Sequence, residues 1–172
     1  MSDRLYSDNH GAEGSWKYSA SFQPGGAEGS VAEVGAGELL YIARLESGAV
    51  CTNPKIGHCA GMIRSATSGE TWDASTDVDS GQLPDPACKN TVAKCARGLV
   101  HAGSHSVSAR TNVSALFSSD EGRSWGGEVM VWEAPKVGGY STAQGYKQAG
   151  ADRVGVVFEN RTCSITIGSF AV

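Results

Sequence analysis

Long apolar runs are missing from this chain of 172 residues. The longest cover only residues 39–43 and 129–132, whereas a helix needs about 20 apolar residues to cross a bilayer. We therefore expect no membrane span. The first residues also lack the basic segment followed by an apolar one that marks a signal peptide, so the compartment in which the protein works stays open.

Basic stripes and metal-ligand patterns are missing as well. The chain has 14 basic and 18 acidic residues and a formal net charge of −4. Both signs are scattered, so nothing indicates a nucleic acid partner. The five cysteines are odd in number and their spacings match no known zinc pattern; they are Cys51, Cys59, Cys88, Cys95 and Cys163. We expect neither a metal site nor a cofactor.

Helical periodicity is the third absence. Nowhere do apolar residues recur at the three- and four-residue spacing of an amphipathic helix over a dozen positions. Short apolar or alternating runs followed by Gly, Ser or Asp turns recur instead, and 23 residues are glycine. The predicted strands cover residues 38–43, 61–65, 99–103, 112–118, 128–133, 153–159 and 164–170. Short strands about every ten residues predict an all-β sandwich, barrel or propeller.

An internal repeat distinguishes between these three architectures. Residues 118–125 read Ser-Ser-Asp-Glu-Gly-Arg-Ser-Trp, and residues 65–72 repeat this frame with Thr67 in place of the Asp. Residues 7–16 hold a damaged third copy with Asn9 at that position. The closing tryptophans lie 56 and 53 residues apart; they are Trp16, Trp72 and Trp125. One repeat of this length fits one four-stranded propeller blade.

The chemistry of the repeat is that of a tight hairpin turn. The Asp or Asn oxygen accepts hydrogen bonds from backbone N–H groups, Gly supplies a positive φ angle, and Trp packs back under the turn. A single copy would indicate no more than a stable hairpin. Three copies at nearly equal spacing predict a propeller of four-stranded antiparallel blades, of which the chain can hold about three to three and a half.

These repeats resemble the Asp boxes of the sialidase (neuraminidase) family, whose motif is S-x-D-x-G-x-T-W. Further segments match that family in the same order along the chain: residues 27–34, 38–44, 83–91, Arg110, 138–142 and 153–159. The Gly-Gly-Tyr-Ser-Thr at 138–142 and the Val-Gly-Val-Val-Phe-Glu at 154–159 are the most specific. The resemblance implies a sialidase-like six-bladed propeller, with residues 1–172 as one incomplete domain that lacks the N-terminal blades.

The same resemblance implies an enzyme. It would be an exo-α-sialidase that removes terminal sialic acids from glycoproteins, glycolipids or oligosaccharides with retention of configuration. By position, Tyr140 matches the catalytic nucleophile and Glu28 the carboxylate that activates it. Arg44 and Arg110 match the second and third arginines that bind the substrate carboxylate. Glu159 matches the acid that holds the first arginine of that triad.

General chemistry explains why these residue types are needed. Sialic acid carries a carboxylate on its anomeric carbon, so a neutral tyrosine oxygen approaches it without the repulsion that a carboxylate nucleophile would meet. A phenol with a pKa near 10 needs a neighbouring base such as Glu28 to accept its proton. The planar fork of an arginine makes two charge-assisted hydrogen bonds to a carboxylate and keeps its charge.

Two parts of the family site have no match in this chain. The first arginine of the triad and the aspartate acid/base lie, in the family, in segments N-terminal to the matched part. General acid–base help is typically worth about 10²–10⁴-fold, so we expect the isolated chain to be weak or inactive. Two other functions stay open: a propeller that binds sialylated glycans without cleaving them, and a protein scaffold. Hydrolysis and trans-sialidase activity are not distinguished.

Overall fold

The structure is a computed structural model and describes residues 5–19, 26–45, 60–73, 82–160 and 164–172. Every regular element in these ranges is a β-strand. The strands are β1 (Leu5–Ser7), β2 (Trp16–Tyr18), β3 (Gly26–Gly35), β4 (Glu38–Leu45), β5 (Ala60–Ser65), β6 (Thr91–Cys95), β7 (Gly98–Gly103), β8 (Val113–Ser118), β9 (Gly126–Trp132), β10 (Ser141–Gln148), β11 (Ala151–Glu159) and β12 (Ile165–Ala171). Within the same ranges, no helix has the length and apolar character that crossing a membrane requires.

In the described part of the chain the strands form four antiparallel sheets: β1-β2, β3-β4-β5, β6-β7-β8-β9 and β10-β11-β12. Neighbours in each sheet are also neighbours in sequence, so each sheet is a simple meander. Of the sheets as described, β6–β9 has the four strands predicted for a blade, and the others have two or three. All seven sequence-predicted strands are present, with ends shifted by at most two residues.

The three larger sheets contribute the residues of two apolar cores. Alternate residues of a strand face opposite sides of its sheet, and β7 shows the result. Val100 lies in a core shared with β8 and β11, whereas Leu99 lies in a second core that includes Leu40 of β4. The β6–β9 sheet is therefore covered on both faces. The first strands of the three larger sheets, β3, β6 and β10, lie side by side, with β6 in the middle.

These inner strands carry small and polar residues, which is why β6 and β10 are not among the sequence-predicted strands. A side chain at Gly145 of β10 would collide with the Lys94 carbonyl oxygen of β6. The Ser141 carbonyl accepts hydrogen bonds from Thr91 Oγ1 at 2.7 Å and from Lys89 Nζ at 2.9 Å. The inner strands thus pack through close main chains. The outer strands, which are the remaining strands of the three larger sheets, instead carry alternating apolar side chains.

The three copies of the repeat form the same turn. In each, the glycine N–H donates to the hydroxyl of the first serine: Gly122 to Ser118 at 2.7 Å, Gly69 to Ser65 at 2.9 Å and Gly11 to Ser7 at 3.0 Å. The φ angles of these glycines lie between 75° and 93°, and the closing tryptophan ring packs against each glycine. The turns follow β8, β5 and β1, so they lie at one end of the sheets.

Candidate functional site

The meander topology gathers the five predicted site residues at the end of the sheets opposite the repeated turns. In an antiparallel meander the first strand begins, and the second strand ends, at the same end of the sheet. Glu28 lies near the start of β3, Arg44 near the end of β4, Arg110 between β7 and β8, Tyr140 directly before β10, and Glu159 at the end of β11. Because β3, β6 and β10 lie side by side, these positions surround a common centre.

Arg44 joins Glu28 to Tyr140. Its Nη1 donates to Glu28 Oε2 at 3.0 Å and to the Tyr140 hydroxyl oxygen at 3.3 Å. The side chains of Arg44 and Glu28 are 19% and 29% exposed, so the ion pair is largely withdrawn from water. A carboxylate and a guanidinium from the β3–β4 hairpin and a phenol from the distant segment before β10 therefore share one cluster.

Glu28 lies in a β-bulge. The pairing of β3 with β4 shifts between Gly26, opposite Leu45, and Gly29, opposite Ala43. Bulges of this kind redirect side chains and are common next to active sites. Glycine at position 29 permits the close approach of the two strands, because a side chain there would meet the backbone of β4 at 2.5 Å. The local irregularity thus sets the direction of the Glu28 carboxylate.

Arg110 lies over the ring of Tyr140, with its Cζ 5.2 Å from the ring centroid. Its Nη1 donates to the Gly138 carbonyl oxygen at 3.2 Å and its Nη2 to the Ala87 carbonyl oxygen at 3.1 Å. A cation within about 6 Å of an aromatic face is attracted to it. Arg110 is therefore fixed by the ring and by two carbonyls, which use two of the five N–H donors of a guanidinium.

Glu159 contacts the Tyr140 segment through its backbone. Its N–H donates to the Tyr140 carbonyl oxygen at 2.9 Å, and its own carbonyl accepts from the N–H groups of Gly138 at 3.2 Å and Gly139 at 3.4 Å. The Glu159 carboxylate lies beside Gly138. Among the described residues it forms no ion pair with either arginine of the cluster. The main chain of Glu159 therefore braces the segment that carries Tyr140.

A buried aspartate without a sequence-predicted role lies beside the cluster. Asp85 is 2% exposed. Its Oδ1 accepts the Cys88 N–H at 2.7 Å and its Oδ2 accepts Asn90 Nδ2 at 2.5 Å. Burial raises the pKa of Asp85 to about 6, although these hydrogen bonds and the charges of Arg44 and Arg110 act in the opposite direction. An acid with a pKa displaced by burial next to charged partners is typical of a functional site.

The sequence does carry a local signal for the bond between Asp85 and Cys88. An Asp followed by Pro favours a turn, and an Asp side chain in a turn accepts a backbone N–H a few residues on. Residues 83–86 match the family pattern in order, but that match attaches no role to Asp85. Burial of a loop carboxylate depends on how the sheet ends pack together, which no local pattern reveals.

Two histidines of the β7–β8 region pair with each other. His101 Nδ1 and His105 Nε2 are 2.9 Å apart. Burial lowers the pKa of both, that of His105 to about 4, so both rings are neutral at pH 7. In the parts of the chain that the structure describes, no three His, Cys, Asp or Glu side chains are arranged to hold a metal ion. Cys51, Cys59 and Cys163 lie outside those parts.

The arrangement of the sheets is similar to that of solved sialidases. The Hadza microbial sialidase Hz136 matches with a TM-score of 0.76 at 21% identity, over 98% of this chain and 31% of that chain. A mutant of NanB sialidase from Streptococcus pneumoniae matches with a TM-score of 0.68 at 19% identity, over 99% and 27%. Trypanosoma rangeli sialidase in complex with 2,3-difluorosialic acid, a covalent intermediate, matches with a TM-score of 0.62 at 12% identity, over 97% and 26%.

No protein-family model and no curated protein matches the chain. At these identities, the likeness to the solved structures concerns the fold. The predicted fold class is confirmed: the described chain consists of antiparallel sheets without helices and matches sialidase structures over nearly its whole length. The chain spans between 26% and 31% of the length of these three sialidases.

Proposed function

We propose that this chain carries part of the site of an exo-α-sialidase, a glycoside hydrolase that releases terminal sialic acids from glycoconjugates. One observation carries the proposal: Arg44 Nη1 lies within hydrogen-bond distance of both the Glu28 carboxylate and the Tyr140 hydroxyl. Cleavage of a sialoside by a phenol needs these residue types at one place, and the sialidase-like fold supports the same interpretation.

Tyr140 is the proposed nucleophile and Glu28 the base that accepts its proton. A phenol attacks an anomeric carbon effectively only as it loses that proton. Arg44 donates to the Tyr140 oxygen and so stabilises the negative charge that develops on it. Water then releases the sugar from the covalent glycosyl–tyrosine intermediate, and two inversions give net retention.

Arg44 and Arg110 are the proposed binding groups for the substrate carboxylate. Each presents N–H donors in a planar fork and stays charged. Arg110 has N–H donors beyond the two that bond to backbone carbonyls. Glu159 is proposed to orient a further arginine through its carboxylate, while its backbone holds Tyr140.

Efficient turnover is proposed to need groups beyond those found here. The chain spans less than a third of the sialidases that it resembles, and its sequence contains no match for the first arginine or the aspartate acid of that family. Loss of general acid help slows a reaction by about 10²–10⁴-fold. Natural sialosides, whose leaving group must be protonated, are therefore expected to turn over slowly on this chain.

A 2,3-difluorinated sialic acid tests the nucleophile without the general acid. The Tyr140 oxygen bonds to the anomeric carbon, the carbon–fluorine bond there breaks, fluoride leaves, and the phenolic proton passes to Glu28. Mass spectrometry of the 172-residue chain is expected to find one adduct per chain, located on Tyr140. Tyr140→Phe is expected to form none.

Tyr146→Phe is the matched control, because the hydroxyl of this exposed tyrosine bonds to Ser169 of β12. It is expected to form the adduct as the unmodified chain does. No adduct, together with binding of sialic acid in saturation-transfer NMR, would contradict catalysis and favour the glycan-binding function. No adduct and no binding would favour a scaffold.

A further inference from the structure

The loop before β6, residues 82–90, reaches the candidate site at two consecutive residues. The first is Ala87, whose carbonyl oxygen accepts a hydrogen bond from Arg110 Nη2 at 3.1 Å. Ala87 has a φ angle of 56°, a left-handed conformation that glycine adopts without strain and alanine does not. Contacts elsewhere in the loop must therefore hold Ala87 in place.

The second residue, Cys88, supports the Tyr140 segment. Cys88 is buried, and its sulfur lies 2.7 Å from the position that a side chain on Gly139 would take. The same sulfur is 4.0 Å from the Gly138 carbonyl oxygen, which also accepts from Arg110 Nη1. The loop and the residues before Tyr140 are therefore in direct contact.

Asp85 closes this loop. Its carboxyl oxygens accept the Cys88 N–H at 2.7 Å and the side-chain amide of the last loop residue at 2.5 Å, so they tie the start of the loop to its end. We propose that Asp85 is a positioning residue of the candidate site: through the loop that it folds, it fixes both Arg110 and the segment that leads to Tyr140. The inference rests on the proposed sialidase function and extends it to a residue that acts through its neighbours.

The negative charge of Asp85 opposes folding, although its hydrogen bonds order the loop. Burial raises its pKa to about 6, above the ordinary value of 3.8. Folding therefore disfavours the ionised form, and ionisation costs stability as the pH rises from about 4 to about 6. A carboxyl whose pKa is raised by burial and that lies near Arg44 and Arg110 is typical of functional sites.

Two substitutions separate the hydrogen bonds of Asp85 from its charge. Asp85→Ala removes both acceptors. Asp85→Asn keeps one oxygen for the Cys88 N–H. Asn90 can then turn its amide and offer Oδ1, which is buried and has no hydrogen-bond partner among the described residues, to the new NH2 group. The asparagine variant therefore preserves the loop, whereas the alanine variant opens it.

The first test needs no ligand. Modification of Cys88 by a thiol reagent and of Arg110 by phenylglyoxal is followed residue by residue with mass spectrometry of the full chain. Asp85→Ala is expected to speed both reactions about tenfold or more, because two hydrogen bonds to a charged group are lost, while Asp85→Asn stays within about twofold. Asp152→Ala is the control: it removes a carboxylate bonded to Lys147 and is expected to leave both rates unchanged.

The second test uses the difluorinated sialic acid and Tyr140. Asp85→Ala is expected to slow adduct formation about tenfold or more, and Asp85→Asn to restore the rate. The asparagine variant is also expected to melt no lower than the unmodified chain at pH 7, whereas a purely structural role predicts that both variants melt lower.

Two results would overturn the positioning role: unchanged Cys88 and Arg110 rates in a folded Asp85→Ala chain, or raised rates in Asp85→Asn. If the alanine variant does not fold, the rates and the melting temperature of the asparagine variant decide. An unmodified chain that forms no adduct on Tyr140 overturns the proposed function, while the ligand-free rates still decide the role of Asp85.

Discussion

Asp120 and Asp85 lie at opposite ends of the sheets, and their pKa values are shifted in opposite directions. Asp120, in the turn after β8, accepts hydrogen bonds from the Ser124 hydroxyl at 2.5 Å, the Ser124 N–H at 2.8 Å and the Ser118 hydroxyl at 2.7 Å. These bonds lower its pKa. Asp85, in the loop before β6, is buried, and burial raises its pKa to about 6.

The difference is that ionisation of the acid at the turn end favours folding, whereas ionisation of the acid at the site end opposes it. At the turn end, polar groups bond to the backbone of their own turn and keep contact with water, so ionisation favours folding. At the site end, an acid is withdrawn from water near two arginines, so ionisation opposes folding. A buried acid with a pKa displaced in this way is typical of a functional site.

The largest effect on stability is expected from two single glycine substitutions, one at each end of the sheets. Gly122 and Gly139 have φ angles of 82° and 92°. A side chain would meet Leu40 Cδ2 at 2.5 Å in the first case and Cys88 Sγ at 2.7 Å in the second. Each alanine variant is expected to lower the free energy of unfolding by about 1–3 kcal/mol, as measured by urea denaturation. Gly139→Ala alone should also slow labelling of Tyr140 by the difluorinated sialic acid. Equal slowing in Gly122→Ala would contradict the distinction between the two ends.

Asparagine substitution of Asp85 comes next. Its folded pKa of about 6 lies above the unfolded value near 3.9, so the ionised group destabilises the fold above pH 6 and has no effect once both states are protonated. Asp85→Asn is therefore expected to raise the free energy of unfolding at pH 7 by up to about 3 kcal/mol. The gain should disappear as the pH falls from about 6 to about 4. Thermal melts followed by circular dichroism across this pH range check whether the variant is more stable than the unmodified chain.

Asp120→Asn is expected to act in the opposite direction. The folded pKa of Asp120 is lowered by its hydrogen bonds, so its contribution to stability is present above the unfolded pKa near 4 and is lost as the pH falls below that value. The variant should melt lower than the unmodified chain at pH 7 and approach it in acid. A melting temperature that falls in both asparagine variants at pH 7 would contradict the comparison.

Breaking an ion pair at either end is expected to change the free energy of unfolding less than the substitutions above. Glu28 and Arg44 are 29% and 19% exposed, whereas Glu121 and Arg123 of the turn after β8 are 43% and 63% exposed. Glu121→Gln should change the free energy of unfolding by less than about 0.5 kcal/mol. Glu28→Gln should lower it by about 1 kcal/mol, because less water replaces the lost bond. Urea denaturation that finds equal effects would show that burial does not separate the pairs.

The smallest effect is expected from two residues that hold positive φ angles without being glycine. Ala87 at the site end has a φ of 56°, and Ser68 at the turn end has a φ of 54°. Glycine at either position should raise the free energy of unfolding by about 0.5 kcal/mol. Ala87→Gly should also loosen the carbonyl that holds Arg110 and speed its modification by phenylglyoxal. An unchanged Arg110 rate would mean that the strain at Ala87 has no part in the site.

The outer strands could be predicted from the sequence and the inner strands could not. In β11, Val154, Val156 and Phe158 are buried in alternation, which is the period of a strand with one face in a core. In β10 the buried positions are Ser141 and Ala143. Small and polar residues fit there because the neighbouring main chain is close, and a single sequence does not reveal that neighbour.

The candidate site could be predicted as far as the family resemblance reached. Glu28, Arg44, Tyr140 and Arg110 lie in segments with specific patterns, and in the structure their side chains meet; their roles stay predictions. Asp85 was visible only as part of a turn. Its burial and its link to Arg110 arise from three loops that are far apart in the chain, so no local pattern could indicate them.

The inner strands β6 and β10 touch through their main chains, with no side chain between them at Gly145. The spacing of these two strands is therefore set by the size of the main chain, and substitutions in the loops leave it unchanged. Substitutions in the loops can thus change the proposed binding site while the distance between the two strands stays the same. For the proposed sugar site, a mutant library that seeks a changed preference would therefore vary the loops at 82–90, 104–112 and 133–140 and keep Gly145.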